Sequence, residues 1–415
     1  MQAVGLITEY NPFHNGHLHH LHESLRVTGA EVSVAVMSGH FLQRGEPALV
    51  DKWARAEMAL HAGVDLVVEL PLPWATSSAP NFALGAVQSL ASLGVDSLCF
   101  GSEVGFIEPL RNCADFLHIN DQMIAEKTAV LLRQGMNYPQ AREKILSTLL
   151  VADLDPEMVS APNNILGIEY LKALKQIQSA ITPATIKRIG AGYNDTAIGD
   201  GGIASATGIR KQIEQGESIA DFLPQAVAQE LEQQLANNDC FSADKYLQLL
   251  LGQIFSNNKK LPDYWLVENG LENRMIKVAA TANSLEELVV GIKSKQLTRT
   301  RIQRTLVSIL LGLDKNIIPQ LFSVGPQYLH LLAASEKGRY FLAHSRKQRS
   351  LPLIQNFSRV YAVIKRFYGN SSGFALQQLE IELQATKIYT LLLGRYGGEN
   401  RNRDFFASLQ TEKSD

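Results

Sequence analysis

The sequence contains little cysteine. Only three of its 415 residues are cysteines, Cys99, Cys113 and Cys240, and no two of them form a Cys-x-x-Cys pair. A domain held together by disulfides needs a denser, even set of cysteines, and a thiolate zinc site needs closely spaced pairs. Both classes are excluded, and the cysteine content fits a protein of the reducing cytoplasm.

Long apolar runs are also missing. No segment approaches the roughly 20 consecutive apolar residues that span a bilayer. The first residues, Met1-Gln-Ala-Val-Gly-Leu-Ile-Thr, lack the basic start and the apolar stretch of a signal peptide. We therefore expect a cytoplasmic protein without a membrane partner.

The chain carries no excess of either charge. Its 39 Lys and Arg residues nearly balance 41 Asp and Glu residues, which gives a formal charge of −2. A surface for nucleic acid must therefore be a local patch. The composition, 46% hydrophobic and 19% charged, is that of a globular protein, and the length predicts two or three domains.

Short apolar runs alternate with helical patterns over the first hundred residues. The patterns predict strands at residues 3–7, 31–37, 64–70 and 97–100, separated by helices at 17–28, 52–62 and 81–93. This β-α-β order is typical of a doubly wound parallel sheet. Such sheets bind ligands at the carboxyl ends of their strands.

The remaining pattern divides the chain in two. We predict an interrupted helix at 122–150, a helix at 165–176 and a strand at 185–189, followed by a glycine-rich segment, 190–207, without regular pattern. From about residue 223 the patterns are long and helical. The predicted fold is α/β: a doubly wound domain, residues 1–215, followed by a mainly helical domain, residues 216–415.

The clearest motif, Glu9-Tyr-Asn-Pro-Phe-His14-Asn-Gly-His17, follows the first predicted strand and opens the first helix. His14 and His17 lie three residues apart, on one face of a helix start whose free N–H groups favour phosphate. Gly16 leaves room for a nucleotide. This His-x-Gly-His pattern resembles the signature of the nucleotidyltransferase superfamily, in which both histidines contact the phosphates of ATP. The alternative is a pair of capping or solvent-facing histidines.

Three more histidines, His19, His20 and His22, follow on the same helix. A metal site is the alternative explanation of this cluster. The phosphate role already accounts for His14 and His17, and histidines are common on helix surfaces, so we predict no metal site among the protein side chains.

Further candidates lie at the ends of the other strands. The turn-rich segment 37–55 holds Arg44, Lys52 and Arg55, which could face an anionic substrate or simply be solvated. Gly101 ends the fourth strand and is either a nucleotide contact or an ordinary turn glycine. Asn163 either contacts a ligand or caps the following helix.

A second motif, Ala204-Ser-Ala-Thr-Gly-Ile-Arg210, resembles the second superfamily motif, Ile-Ser-Ser-Thr-x-Ile-Arg. Hydroxyl and N–H groups at a helix start, with an arginine one turn later, suit the β- and γ-phosphates of ATP. Because alanines flank Ser205, one hydroxyl of the usual motif is missing here.

The second half carries clusters of basic residues. Residues 293–304 hold five Lys and Arg residues and no acid, residues 344–349 hold three more, and Arg359, Lys365 and Arg366 follow. Such patches, with Tyr340 or Phe341 available for stacking on a base, suit RNA. The alternative is a solvated helix face.

Four segments together carry a resemblance to one family. They are residues 8–17, 38–47, 162–170 and 298–304, in this order along both halves of the chain. They resemble the tRNA(Met) cytidine acetate ligase family. The resemblance implies an ATP-dependent ligase that uses Mg²⁺, forms acetyl-adenylate from acetate and ATP, and transfers the acetyl group to N4 of the wobble cytidine of elongator tRNA(Met), giving N4-acetylcytidine.

The resemblance also implies roles for particular residues. His14 and His17 are the expected catalytic residues, and Arg44 and Lys52 are candidates for the acetate or tRNA side. The expected ATP contacts are Ile7, Thr8, Glu9, Tyr10, Asn11, Pro12, Phe13, His14, Asn15, Gly16, His17, Leu18, His19, His20, Gly101, Asn163, Arg188, Ser205, Thr207 and Arg210. The expected tRNA contacts, in the helical domain, are Arg299, Arg301, Arg304, Arg346, Lys347 and Arg349.

Two rival hypotheses remain. A small-molecule adenylyltransferase would share both ATP motifs but would leave the second half without a role. A non-catalytic RNA-binding protein on a degenerate nucleotidyltransferase fold would not need the two histidines. Acetate-dependent pyrophosphate exchange is expected only of the ligase.

Overall fold

A computed structural model describes residues 1–149, 158, 160–189, 204–395, 397–407 and 409–411. Most of the predicted glycine-rich segment lies outside these residues. No helix within the described ranges has both the length and the apolar composition needed to cross a membrane.

A seven-stranded sheet forms the centre, in the order β5-β4-β1-β2-β3-β6-β7. Strands β1 to β5 run parallel, which confirms the predicted doubly wound arrangement. Strand β6 is antiparallel to β3, and β7 runs parallel to β6. The strands are β1 (Ala3–Thr8), β2 (Val32–Ser38), β3 (Leu66–Leu70), β4 (Ser97–Ser102), β5 (Thr182–Lys187), β6 (Leu329–Ala334) and β7 (Leu353–Ile354).

Helices cover both faces of the sheet. In the first half they are α1 (Asn15–Thr28), α2 (Lys52–His61), α3 (Leu72–Ala75), α4 (Ala79–Leu93), α5 (Ile107–Ile119), α6 (Asp121–Arg133), α7 (Tyr138–Leu149), α8 (Pro162–Gln176) and α9 (Ala206–Gln215). Alternate residues of β2 face opposite cores: Val34 and Val36 pack with Phe82 of α4, and Met37 packs with Leu21 of α1. Because both of their faces are buried, β1 to β3 are nearly continuous apolar runs, whereas the edge strand β5 is partly exposed.

The second half is mainly helical, as predicted. Its helices are α10 (Gln225–Ala236), α11 (Ala243–Ser256), α12 (Leu271–Ala279), α13 (Leu285–Ile292), α14 (Arg299–Leu311), α15 (Ile317–Val324), α16 (Glu336–His344), α17 (Val360–Tyr368), α18 (Gly373–Leu392) and α19 (Arg403–Phe406). Sequence patterns did not predict β6 and β7. Both strands belong to the second half and extend the sheet of the first, so the two halves share one sheet.

A buried ion network joins the end of the chain to the sheet. The Nζ atom of Lys52 lies 2.8 Å from a carboxylate oxygen of Glu69 and 2.8 Å from one of Asp404, and His330 Nδ1 lies 2.8 Å from Glu69. Lys52 is completely buried. Burial alone would lower the pKa of Lys52, but Asp404 and Glu69 outweigh it and raise that pKa.

The expectation that Lys52 and Arg55 face an anionic substrate is therefore wrong. Lys52 is enclosed by its two carboxylates. Arg55 is also fully buried, and its guanidinium donates hydrogen bonds to the main-chain carbonyls of Glu9, Ser38, Gly39 and Val50. Both cations stabilise the loop that follows β2, because they satisfy charges and carbonyl groups that burial would otherwise leave unpaired.

Candidate active site

The His-x-Gly-His motif lies where β1 ends and α1 begins. His14 is the N-cap residue, and its Nδ1 atom accepts a hydrogen bond from the Gly16 N–H at 3.1 Å. His17 Nδ1 accepts in turn from the His14 N–H at 3.3 Å, which completes a capping box. The two rings lie 3.8 Å apart. The histidines therefore do cap the helix, as the alternative explanation predicts. They also lie together at the carboxyl edge of the sheet.

These hydrogen bonds fix which ring nitrogen is available to a ligand. Burial, with a smaller effect of Arg188, lowers the pKa of His14 to about 3, and burial with His14 as neighbour lowers that of His17 well below its ordinary value. Both rings are therefore neutral at pH 7. In a neutral ring whose Nδ1 accepts, Nε2 carries the hydrogen. The site thus offers two Nε2–H donors side by side.

Two aromatic rings hold His17 in place. Tyr10 and Phe13 lie 4.7 Å apart, and their ring centroids lie 5.0 and 5.6 Å from that of His17. Phe13 is completely buried beneath the motif. Its role is to position the histidine, because a ring packed on two sides has few rotamers left.

A glycine and an arginine form a second wall of the cleft. The Arg188 guanidinium donates to Asn163 Oδ1 at 3.2 Å, and the arginine side chain packs on Gly101. The Asn163 amide donates to Glu103 at 2.6 Å. Glu103 also accepts the N–H groups of Asn163 and Asn164, so this carboxylate satisfies the start of α8. The alternative prediction, that Asn163 caps α8, is therefore wrong. The N-cap residue of α8 is Ala161, which has no side chain that could form a capping hydrogen bond.

Replacing Gly101 with alanine is expected to raise the KM for ATP about tenfold without unfolding the protein. A Cβ atom at Gly101 would lie 3.0 Å from Arg188 Cγ and would displace the guanidinium. Loss of one charge-assisted contact has an effect of this order. ATP titration of wild type and variant measures it. Gly252→Ala is the matched control, since a Cβ there meets nothing within 4 Å. An unchanged KM would contradict a nucleotide contact at Arg188.

A second helix start faces the same cleft. Ser205 is the N-cap of α9, and its hydroxyl accepts from the Gly208 N–H at 3.0 Å. Arg210, one turn later, donates to the Asn11 carbonyl at 2.9 Å and lies 3.8 Å from a Glu46 oxygen. The start of α9 is thereby fixed next to the start of α1. Two helix N-termini at one cleft make a strong site for phosphate groups.

The loop after β2 forms the third wall. Its Gln43 N–H donates to Glu9 Oε1 at 2.7 Å, and Arg44 and Glu46 line the cleft beside it. Helix α14 supports this loop: Arg304 Nε donates to the Gln43 carbonyl at 2.7 Å. At Gly45, where φ is +81°, a Cβ would lie 2.2 Å from the Arg304 main-chain nitrogen. Only glycine allows so close a contact.

Most of the expected ATP residues line one cleft. These are Ile7, Thr8, Glu9, Tyr10, Asn11, His14, Gly16, His17, His19, His20, Gly101, Asn163, Arg188, Ser205, Thr207 and Arg210. The structure does not place Pro12, Phe13, Asn15 or Leu18 among the lining residues. Sequence reasoning missed Leu42, Gln43, Glu46, Phe82 and Tyr170, which also line the cleft. No sequence signal distinguishes these five from ordinary core or loop residues.

The three further histidines of α1 have different positions. His19 and His20 line the cleft, and His22 is exposed. Burial lowers the pKa of His20 to about 4. Within the described residues, no group of three or more His, Cys, Asp or Glu side chains is arranged to hold a metal ion.

The six expected tRNA contacts form two separate clusters. Arg299 and Arg301 are paired with Glu286 and Glu268, at 2.5 and 3.2 Å, on the helix that supports the cleft loop. Arg346, Lys347 and Arg349 lie near the opposite edge of the sheet. There the Ser350 N–H donates to the Ser92 carbonyl, just before β4 begins. Phe341 is buried, so of the two aromatic candidates only Tyr340 is exposed.

Fold and cleft together define a class. A doubly wound sheet with a His-x-Gly-His helix start at the carboxyl end of its first strand is the arrangement of a nucleotidyltransferase. The family model described as HIGH Nucleotidyl Transferase matches residues 1–404.

More detailed similarity identifies the family within this class. A tRNA(Met) cytidine acetate ligase of Syntrophotalea carbinolica is 52% identical over 409 residues, 98% of both chains. One of Acetivibrio thermocellus is 40% identical over 94% of this chain and 95% of the relative. The crystal structure of Thermotoga maritima TmcAL bound with alpha-thio ATP is 32% identical, with a TM-score of 0.89 over 99% of this chain and 100% of that one. The chain belongs to the tRNA(Met) cytidine acetate ligase family.

Proposed function

We propose that the chain is an ATP-dependent acetate ligase that acetylates N4 of the wobble cytidine of elongator tRNA(Met) in the cytoplasm. The observation that carries the proposal is the meeting of two helix starts and two neutral histidines at one cleft. Relatives that match nearly the full chain are named for this activity.

In the first step an acetate oxygen attacks the α-phosphorus of ATP. The bond to the bridging oxygen breaks, and pyrophosphate leaves with acetyl-adenylate as the other product. The Nε2–H groups of His14 and His17 and the N–H groups at the starts of α1 and α9 are the donors for the charge that develops on the phosphates. The described residues include no side-chain group arranged to hold a metal ion, so Mg²⁺ would be held mainly by the phosphates of ATP, where it would neutralise part of their charge.

In the second step the cytidine N4 atom attacks the acetyl carbonyl. A C–N bond forms, the bond between the acetyl carbon and the AMP phosphate oxygen breaks so that AMP leaves, and the proton lost by the amine passes to solvent. The cytidine has to approach from a side where RNA can bind. The wall formed by Glu9, Gln43 and Arg44 meets this condition, because Arg304 of the basic helix α14 contacts it directly. We place the acetate end of the cleft here, with Arg44 as its cation.

The two halves of the chain have different roles in this function. Residues 1–215 hold the ATP chemistry, and residues 216–415 supply the tRNA surface. Arg304 contacts the cleft loop, whereas Arg346, Lys347 and Arg349 lie near the opposite sheet edge. The cluster of Arg299, Arg301 and Arg304 is therefore expected to matter more for placing the reacting base.

Exchange of labelled pyrophosphate into ATP tests the first step. The exchange is expected to require both acetate and Mg²⁺ and to proceed without tRNA, because acetyl-adenylate forms before the transfer. A small-molecule adenylyltransferase would instead show exchange that does not respond to acetate. That outcome, measured with acetate-free enzyme, would contradict the proposal.

A further inference from the structure

Basic charge is concentrated in one stretch of the second half. Residues 337–379 contain eight Lys and Arg residues and no Asp or Glu. Since the whole chain has a formal charge of −2, the other residues together carry −10. Three of these residues, Arg346, Lys347 and Arg349, lie near the opposite sheet edge. Another three, Arg359, Lys365 and Arg366, stand within eight consecutive residues at helix α17 and form a local positive cluster, which attracts polyanions.

The eight basic residues are available to a ligand. In the described part of the chain, none of them is paired with a carboxylate. Arg299 and Arg301, by contrast, already have Glu286 and Glu268 as partners. A phosphate contact at an unpaired cation does not require an existing ion pair to break first.

Helix α17 combines this charge with aromatic side chains. Arg359, Lys365 and Arg366 are exposed, and Tyr361 and Phe367 are 53% and 52% exposed. Tyr361 and Lys365 are one turn apart, so they are neighbours on the helix surface. Val360 and Ile364 anchor the helix, because they are buried against Phe357 and Leu379. Tyr361 and Phe367 border this buried stripe on its two sides, and Lys365 and Arg366 lie between them on the exposed surface. The exposed rings are thus not part of the core of this helix.

The position of α17 relates it to the cleft. The Tyr368 hydroxyl donates to the Gln327 carbonyl at 2.6 Å, just before β6, and the Phe357 ring lies 4.2 Å from His330. His330 pairs with Glu69 near the carboxyl end of β3, so α17 lies at the carboxyl edge of the sheet. Strand β6 is the third strand from β1, which is about 14 Å at normal strand spacing.

We propose that the exposed face of α17 is a docking surface for the tRNA substrate. Arg359, Lys365 and Arg366 bind backbone phosphates, and Tyr361 and Phe367 stack on unpaired bases. The surface lies at the same sheet edge as the cleft. It therefore holds the RNA while one base enters the active site. This inference rests on the proposed function, because it takes tRNA as the substrate.

Charge neutralisation on α17 tests the phosphate contacts. The double variant Lys365→Gln, Arg366→Gln is expected to bind tRNA about tenfold more weakly at moderate salt, and to lower the slope of log K against log salt by about 1.5, as loss of two phosphate contacts does. The control is Lys127→Gln, Arg133→Gln. It removes the same charge from exposed positions of α6, a helix that also carries Asp121 and Glu126.

A second variant tests stacking. Tyr361→Ala, Phe367→Ala is expected to lower tRNA affinity by about tenfold with an unchanged salt slope, since base–aromatic stacking is largely independent of salt. Ile119→Ala is the control, because Ile119 is 81% exposed on α5. Acetate-dependent pyrophosphate exchange is measured for every variant and is expected to stay at the wild-type rate, which shows that the fold and the cleft are intact.

Three results would overturn the inference. The first is a tRNA affinity of both α17 variants equal to that of their controls. The second is loss of exchange together with tRNA binding, which would make α17 structural. The third is loss of binding to phosphatidylserine vesicles with tRNA binding unchanged, which would make α17 a membrane surface. Wild-type protein that fails to acetylate tRNA would instead refute the proposed function, so the two failures are distinguishable.

Discussion

Replacing His17 with alanine is expected to lower acetate-dependent pyrophosphate exchange by about 100- to 1,000-fold, the usual effect of losing one donor to a transition state. The ring is neutral and held by Tyr10 and Phe13, so its Nε2–H is a preorganised donor. The measurement is the exchange rate at saturating ATP and acetate. A variant that keeps most of the wild-type rate would contradict the role of His17.

Two further substitutions separate capping from donation. Glutamate and glutamine at this position can both accept the His14 N–H and complete the capping box, but only glutamine also offers an N–H donor to phosphate. His17→Gln is therefore expected to exchange faster than His17→Glu. Equal rates would show that capping, and not donation to phosphate, is what the position requires.

Replacing Lys52 with methionine is expected to lower the free energy of unfolding by about 3–5 kcal/mol, because it leaves buried carboxylates without their cation. Glu69 and Asp404 both contact the Lys52 ammonium, and all three side chains are almost inaccessible to solvent. Urea unfolding of wild type and variant measures the difference. Lys127→Met is the control, since Lys127 is exposed. A loss below about 1 kcal/mol, typical of a surface pair, would contradict a dominant role for this network.

The pH dependence of stability follows from the same network. Burial alone would raise the pKa of Glu69, but Lys52 and His330 lower it below its ordinary value. A carboxyl group whose folded-state pKa is depressed stabilises the protein above its unfolded-state pKa, and this contribution is lost as pH falls below that value. The contribution of Glu69 to the free energy of unfolding is thus expected to be lost on acidification below about pH 4.5, which urea unfolding at a series of pH values measures.

The sequence predicts those parts of the site whose chemistry is local. The His14–His17 pair follows a strand and starts a helix. The end of a strand and the start of a helix can each be predicted from about ten consecutive residues. The same holds for Ser205 at the start of α9. Strands β1 to β4 are predictable because continuous apolar runs bounded by turns are typical of buried parallel strands.

Features that depend on distant pairing are not predictable in this way. Strand β6 is a short apolar run among helices, and only its antiparallel pairing with β3 makes it a strand. Lys52 resembles any loop cation until Asp404, 352 residues away, is brought against it. Glu103 likewise supports α8 from another element, and Gln43 reaches Glu9 through a loop. In each case the partner, and not the residue itself, determines the role.

Transfer of labelled acetate to bacterial tRNA tests the proposed function most directly. Protein, ATP, Mg²⁺ and labelled acetate are incubated with total tRNA, and the nucleosides are then separated. The expected result is label in N4-acetylcytidine, confined to elongator tRNA(Met) and absent with His17→Ala. Unlabelled tRNA together with acetate-independent pyrophosphate exchange would contradict the proposed ligase activity and favour an adenylyltransferase acting on a small molecule.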